Sequence, residues 1–136
     1  MTGFRVAVLL GLCLVAGCGL MPTAAPHLDG TSWRAVMVAG KVPVAGSEPT
    51  ITFGSGIISG STGCNRYSGP IRLEGSRLTL TELSQTLIGC DGMIGEIEGE
   101  FSRVLGRAET VRFEGASLVI AGRGGEIVLR ADATVP

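Results

Sequence analysis

From Gly30 onward the chain is a succession of short apolar or alternating runs punctuated by glycine. In Thr31–Val38, Trp33, Ala35 and Met37 fall on one face and Val36 and Val38 on the other, the two-residue period of a strand. Ile51 and Phe53 alternate, Gly54-Ser55-Gly56 interrupts, and Ile57 and Ile58 resume, which predicts a hairpin. Two later stretches share a pattern: RLEGSRLTL at 72–80 and RFEGASLVI at 112–120 both read Arg-apolar-Glu-Gly-x-x-Leu-x-apolar. Each predicts an alternating strand, a turn at Gly75 or Gly115, and a return strand. An internal duplication and the convergence of hairpin sequences are both open here. A last strand, Glu126–Ala131, follows the turn Gly122–Gly125.

One segment departs from this period. In MIGEIEGEFSRVLGR the apolar residues Ile94, Ile97, Phe101, Val104 and Leu105 recur at helical spacing, predicting one helix near 93–106. Glu96, Glu98 and Glu100 lie early and Arg103 and Arg107 late, which suits the helix dipole. Gly95 and Gly99 each weaken such a helix by roughly 1 kcal/mol relative to alanine. It must therefore be held by packing, over a sheet or across a barrel mouth. The expectation is a mainly β domain with one packed helix.

The start of the chain, MTGFRVAVLLGLCLVAGCG, belongs to a different regime. One cation, an apolar run too short to span a bilayer and the small residues Ala16 and Gly17 read as an export signal. Val15-Ala16-Gly17-Cys18 resembles the bacterial lipobox, which implies cleavage before Cys18 and lipid on its thiol. A plain secretory signal that happens to contain a cysteine is the other reading. Two acyl chains anchor stably where one, at about 0.8 kcal/mol per buried methylene, does so only marginally. Residues 1–17 are thus expected to be removed, taking Cys13 with them. Residues 18–28, with Pro22 and Pro26, form a lipidated tether, and 29–132 form the domain. The expected location is the cell envelope, with the membrane contacted through Cys18.

Removing 1–17 leaves about 119 residues, enough for one core. Arg5 departs with the signal, so 10 basic residues face 12 acidic ones and the mature charge is about −2. No basic patch of the kind nucleic acid demands is present, and nucleic acid is excluded as a partner. The 22 glycines suit a small β protein rich in tight turns.

Cys64 and Cys90 remain after processing. In an exported chain they are expected to form a disulfide closing a loop of about 26 residues, with a chain-entropy contribution of roughly 3 to 4 kcal/mol. Two reduced buried thiols and a reactive or metal-bound Cys64 are the alternatives. A nucleophilic cysteine needs a base, and the single histidine, His27, lies in the tether. Two cysteines alone do not furnish the four ligands of a structural zinc site. No metal, cofactor or catalytic residue is expected.

The sequence contains no Gly-x-Ser-x-Gly, His-Glu-x-x-His or Gly-x-x-x-x-Gly-Lys motif. Glu96, Glu98 and Glu100 do not share a helix face and read as a solvated surface. Asn65, Arg66 and Tyr67, polar and adjacent to Cys64, are the candidate recognition loop. The competing reading has Asn65 bonding backbone in the turn and Tyr67 covering the core edge.

The residues LDGTSWRAV, PTITFGSGIISGSTGCNRYSG, Thr86-x-x-x-Cys90, Glu98-x-x-Phe101-x-x-x-Leu105 and FEGASLVI together resemble the META domain family, which includes HslJ-like heat-shock lipoproteins. Gly63-Cys64-Asn65-x-Tyr67-x-Gly69 is its most specific part. The chain departs from the family at Ile88 and Gly95, where methionine is frequent. The resemblance implies a small antiparallel β-meander, barrel-like and lipocalin-like in outline, with one helix. It also implies an association with envelope stress, heat shock and novobiocin resistance without an accepted reaction. The function expected is that of a non-catalytic envelope lipoprotein with a stress or protein-interaction role and an envelope protein partner. The alternatives are a binder of a small apolar ligand in a barrel mouth near Trp33, Met37, Ile51 and Phe53, and an inhibitor of an extracellular hydrolase presenting residues 61–69.

Overall fold

The computed structural model describes residues 26–134; the expected export signal, Cys18 and most of the expected tether lie outside them. In chain order the elements are β1 (Thr31–Val38), β2 (Thr50–Gly54), β3 (Ile57–Ser61), β4 (Arg66–Glu74), β5 (Arg77–Leu80), β6 (Ser84–Gln85), α1 (Gly92–Leu105), β7 (Ala108–Glu114), β8 (Ser117–Gly122) and β9 (Gly125–Ala131). Every pairing is antiparallel. Apart from β6, each strand pairs with the next in the chain, and β9 pairs with β1. The result is a closed eight-stranded meander barrel, so the sheet edges that would template aggregation are removed. The two-residue β6 lies beside the start of β4, with Tyr67 opposite Gln85 and Ser68 opposite Ser84.

The repeated Arg-apolar-Glu-Gly stretches are two barrel hairpins, β4–β5 and β7–β8. In each the Glu pairs with the residue three positions later, leaving a two-residue turn headed by glycine. Gly75 and Gly115 have φ of 63° and 59°, which only a residue without Cβ adopts at no steric cost. The hairpins meet along β5 and β7, where the register holds a single pair, Arg77↔Thr110. Val111 N–H adds one bond to the carbonyl of Ser76 at 2.9 Å.

Two expected features of the strands are corrected. Against β9, Ala35 pairs with Leu129 but Met37 with Val128, so Val36 is the extra residue of a bulge. The alternation slips there: Val36 and Met37 are both exposed, and Val38 is fully buried. Residues 61–69 are not one projecting loop, because Arg66–Gly69 already belong to β4 and pair with β3. Small and polar residues there carry no apolar alternation, so only the backbone ladder reveals the strand.

The interior is filled by Ile51, Phe53, Ile58, Leu118, Ile120, Ile127 and Leu129, with Leu28 from the expected tether also buried. Trp33 closes one side and donates its indole N–H to Thr31 Oγ1 at 2.8 Å. Helix α1 buries Ile97, Phe101, Val104 and Leu105 against β9, β1 and β8. Truncating a side chain such as Phe101 would cost about 3 to 5 kcal/mol, which is how packing overrides two helical glycines. Its first turn holds no acid, so the glutamates act by contact rather than through the dipole; Arg103 is in the last turn. Among the described residues no helix is long and apolar enough to cross a membrane.

The barrel has two distinct ends. The chain enters beside the β2–β3 turn, where Gly30 N–H bonds Phe53 O at 2.7 Å. The helix lies at the other end, where Lys41, just beyond β1, pairs with Glu96 and lies 3.8 Å from Glu100.

Candidate functional site

At the helix end, the turn between β3 and β4 carries Thr62, Gly63, Cys64 and Asn65. Thr62 and Asn65 are 1% and 3% exposed, unusual values for polar residues in a turn. Burial is tolerated because each polar atom has a partner. Thr62 N–H bonds the Asn65 carbonyl at 2.8 Å, and Asn65 N–H returns to Thr62 Oγ1 at 2.8 Å. With the Asn65 carbonyl already served, the single Thr62 hydroxyl proton goes to Glu98 Oε1 at 3.1 Å. Gly63 has φ of 95°, and a Cβ there would strike the carbonyl oxygen of Ser47.

The Asn65 side chain joins three segments. Its Oδ1 accepts from Ile88 N–H at 2.6 Å and from Thr86 Oγ1 at 2.8 Å. Its Nδ2 donates to Ile88 O at 3.0 Å and to Glu98 Oε1. Asn65 thus imitates a strand neighbour for Ile88, satisfying both backbone groups of a residue outside any strand. Thr86 continues this pairing with Arg66, its N–H bonding the Arg66 carbonyl at 3.0 Å while Oγ1 accepts Arg66 N–H at 3.0 Å.

The same segment is bound covalently. Cys64 and Cys90 form a disulfide, with Cα atoms 6.3 Å apart, inside the normal span for such a bond. The sulfurs and the Glu98 carboxylate lie within 4.8 Å of one another, a grouping that could in principle hold a cation. Metals require thiolates, however, and the paired sulfurs have none to offer. The bond also removes Cys64 as a nucleophile.

Tyr67, the first inward residue of β4, is 4% exposed. Its hydroxyl donates to Thr50 O at 2.8 Å, and its ring meets Phe101 at 5.7 Å between centroids. Burial pushes the phenol far above the ordinary tyrosine range, so it remains a donor. Gly60, opposite Tyr67, lies where a Cβ would strike Thr50 O, and a Cβ on Gly69 would strike Glu82 O. Glycine at both positions lets neighbouring backbone close over β3 and β4.

Asn65 and Tyr67 are therefore structural members of one joint, and of the three expected recognition residues only Arg66 is exposed. The sequence reading missed Glu98. Its spacing groups it with Glu96 and Glu100 as solvated surface, yet its Oε1 also accepts from Gln85 Nε2 at 3.1 Å. The available signal was its place in the Glu98-x-x-Phe101 pattern, which sets Glu98 and Phe101 on neighbouring helix positions at the joint. Glu100, by contrast, pairs with Arg103 and Lys41, which hold its carboxyl below the usual range.

Outside the joint the segment it holds is apolar and open to water. Leu87 and Ile88 are 93% and 63% exposed, and Met93, in the first turn of α1, is 59% exposed. Leu87 and Ile88 flank a shallow depression reaching Gly95 and Gly99 of α1. Of the residues expected to line a ligand site, Trp33, Ile51 and Phe53 are buried in the packed core, while Met37 faces outward.

Residues 26–134 match the family model described as META domain. No curated protein matches the chain. Among solved structures it is similar to an NMR structure of a protein from Burkholderia xenovorans, at 27% identity and a TM-score of 0.62, covering 78% of this chain and 84% of that one. A second NMR structure is similar at 28% identity and a TM-score of 0.64, covering 76% of this chain and 90% of the other.

Proposed function

The chain belongs to the META domain family, and from that premise we propose that it is a non-catalytic protein-interaction module of the bacterial cell envelope. In this reading it is exported, held to the membrane by lipid on Cys18, and serves in envelope stress. The observation that carries the interaction role is the contrast at the helix end. Cys64, Asn65 and Tyr67 are engaged in internal bonds, whereas the segment they fix presents Leu87 and Ile88 to solvent, with Met93 exposed beside them in the first turn of α1. Apolar side chains held out on a braced, exposed segment suit contact with another protein.

The polarity of the barrel fits the anchor. Ten residues from Cys18 to Leu28 reach at most about 35 Å, and they join the end away from α1. The apolar segment lies at the end farther from the tether, where envelope proteins can reach it. A small apolar ligand would need the interior that Phe53 and Phe101 fill, and a protease-type inhibitory loop would need the residues that β4 holds. No observation favours either.

Intact mass of the membrane fraction tests the anchor: added diacylglycerol on a chain beginning at Cys18 is expected, and Cys18→Ser should leave precursor. Cross-linking in intact envelopes tests the surface. Leu87→Asp should abolish a cross-linked species that the unaltered protein forms. A soluble product cleaved elsewhere would remove the anchor, and an unchanged cross-link pattern would remove the surface.

A further inference from the structure

We propose that the joint is also a redox-gated metal site: once the Cys64–Cys90 bond is reduced, the two thiolates and the Glu98 carboxylate take a zinc ion. Such a site needs neither the lipid anchor nor a partner at Leu87.

Zinc accepts thiolate and carboxylate ligands together, and three protein ligands with solvent in the fourth position make an open site. Here the three come from separate parts of the chain. Cys64 lies in the β3–β4 turn, Cys90 in the segment before α1, and Glu98 on α1 itself. One ligand atom from each lies within 4.8 Å of the other two, and all three residues are half-buried, so an ion and its water can enter. Around a tetrahedral zinc, with bonds of about 2.3 Å to sulfur, two sulfurs stand about 3.8 Å apart. The Cα atoms of Cys64 and Cys90, 6.3 Å apart, allow that separation through side-chain rotation.

The carboxylate is already oriented. Thr62 Oγ1 at 3.1 Å, Gln85 Nε2 at 3.1 Å and Asn65 Nδ2 all donate to Glu98 Oε1, while Oε2 receives no donor among the described residues. Metal-bound carboxylates are held by outer donors of this kind, and Oε2 is left as the oxygen available to an ion. No lysine or arginine among the described residues forms an ion pair with Glu98, so its charge is not already neutralised. Asn65 Nδ2 also lies 3.5 Å from Cys64 Sγ, placed to donate to a thiolate. Helix α1 begins two residues after Cys90, and the positive end of its dipole favours negative sulfur there.

Electron count sets the gate. A dithiol reductant passes two electrons and two protons to the disulfide, breaking its sulfur–sulfur bond and closing one of its own. Cys64 and Cys90 become thiols, and zinc displaces both thiol protons as two zinc–sulfur bonds form. Exchange with an external disulfide takes the two electrons back, restores the Cys64–Cys90 bond and expels the ion. In either state the β3–β4 turn is tied to the segment before α1, by a bond or by an ion.

The test uses the full chain with Cys13→Ser and Cys18→Ser, which leaves Cys64 and Cys90 as its only cysteines. It is reduced with a phosphine, which adds no competing thiol, and titrated with cobalt(II) and then with zinc. The reduced protein should take one cobalt ion with a thiolate-to-metal absorption band that zinc abolishes, and the oxidised protein should show neither. Zinc should also return the urea midpoint of the reduced protein toward that of the oxidised one, read by Trp33 fluorescence. Glu98→Gln should weaken zinc binding by about tenfold or more. Because that substitution also loosens the joint, X-ray absorption of the zinc form with Glu98 intact gives a second reading. It should show two sulfurs at about 2.3 Å and lighter atoms at about 2.0 to 2.2 Å. No ion bound after reduction, equal binding by the oxidised protein, equal binding by a chain also carrying Cys64→Ser and Cys90→Ser, or undiminished affinity in Glu98→Gln would each overturn the proposal. Four sulfurs around the zinc would overturn it in favour of an ion shared between two copies of the chain.

Discussion

Removing the Asn65 side chain should unfasten the helix end of the barrel without touching the hydrophobic core. Asn65→Ala deletes two bonds to the Ile88 backbone, one from Thr86 and one to Glu98. A neutral bond is worth about 1 kcal/mol net and one to a charged group about 1.5 to 3, so a plain sum gives about 5 kcal/mol. That sum is too large here. Ile88 is mostly exposed, so water can reach its freed backbone groups, and Glu98 keeps the donors Thr62 and Gln85. We expect a loss of about 2 to 4 kcal/mol. Asn65→Asp sharpens the test, since it preserves shape and both Oδ1 bonds but sets a second acceptor against Ile88 O and the Glu98 carboxylate. At pH 7 it should cost at least as much as alanine. These neighbours raise the folded pKa of the new carboxylate, so its destabilising effect is present at neutral pH. That effect shrinks as pH falls toward about 4, where protonation restores a donor. Urea unfolding of the oxidised protein at pH 7 and 4.5 measures both variants. Trp33, the single tryptophan and 7% exposed, supplies the fluorescence signal. An alanine cost under about 1 kcal/mol, or an aspartate variant as stable as the parent at pH 7, would refute the assignment of Asn65 as the joint's centre.

Three further outcomes are expected. Reduction of Cys64–Cys90 should cost roughly 2 to 5 kcal/mol. Cys64→Ser and the double Cys64→Ser, Cys90→Ser variant should lose similar amounts, and thiol labelling in denaturant should find neither cysteine free before reduction. Tyr67 is the single tyrosine, so absorbance at alkaline pH reads it alone. Its folded pKa is raised, so its contribution is intact below about pH 10 and is lost above it at about 1.4 kcal/mol per pH unit. Phenolate should accordingly appear together with the loss of Trp33 signal, and a free titration in folded protein would contradict the burial. Gly69→Ala should destabilise by more than the 1 kcal/mol or so typical of a strand glycine, because Glu82 backbone must move; a neutral result in the same urea assay would show that segment to be loose.

The strands with apolar residues in short or alternating runs, β1, β2, β3, β5, β7, β8 and β9, were legible in the sequence, as were α1 and the Cys64–Cys90 pairing. Two-residue periodicity reports burial on one face, and glycine reports turns, so hairpins built from both announce themselves. The first half of β4 and all of β6 did not, because Ser68, Gly69, Ser84 and Gln85 join the sheet through backbone and leave no apolar trace. The bulge at Val36 was hidden for a related reason: a valine reads as a strand residue whether it is paired or extra. The joint was half legible. Its covalent part followed from cysteine count and compartment, but the bond from Asn65 to Ile88 spans 23 residues and depends on where the barrel brings those two segments. Glu98 was hidden because helical spacing shows which glutamates share a face but not what each face meets.

Among the stretches that carry the resemblance to the family, the most specific part is a fastening. Gly63, Cys64, Asn65, Tyr67, Gly69, Thr86, Cys90 and Glu98 all hold one end of the barrel shut, and substitution at any of them is opposed by folding before any partner is consulted. The outward positions, such as Leu87 and Ile88 on the braced segment and the exposed Arg77 and Arg107, carry no such burden and are free to drift. Two proteins could therefore agree at every signature position and still engage unrelated partners. For this fold, divergence of role would be written on the outer face, at positions the signature leaves unspecified.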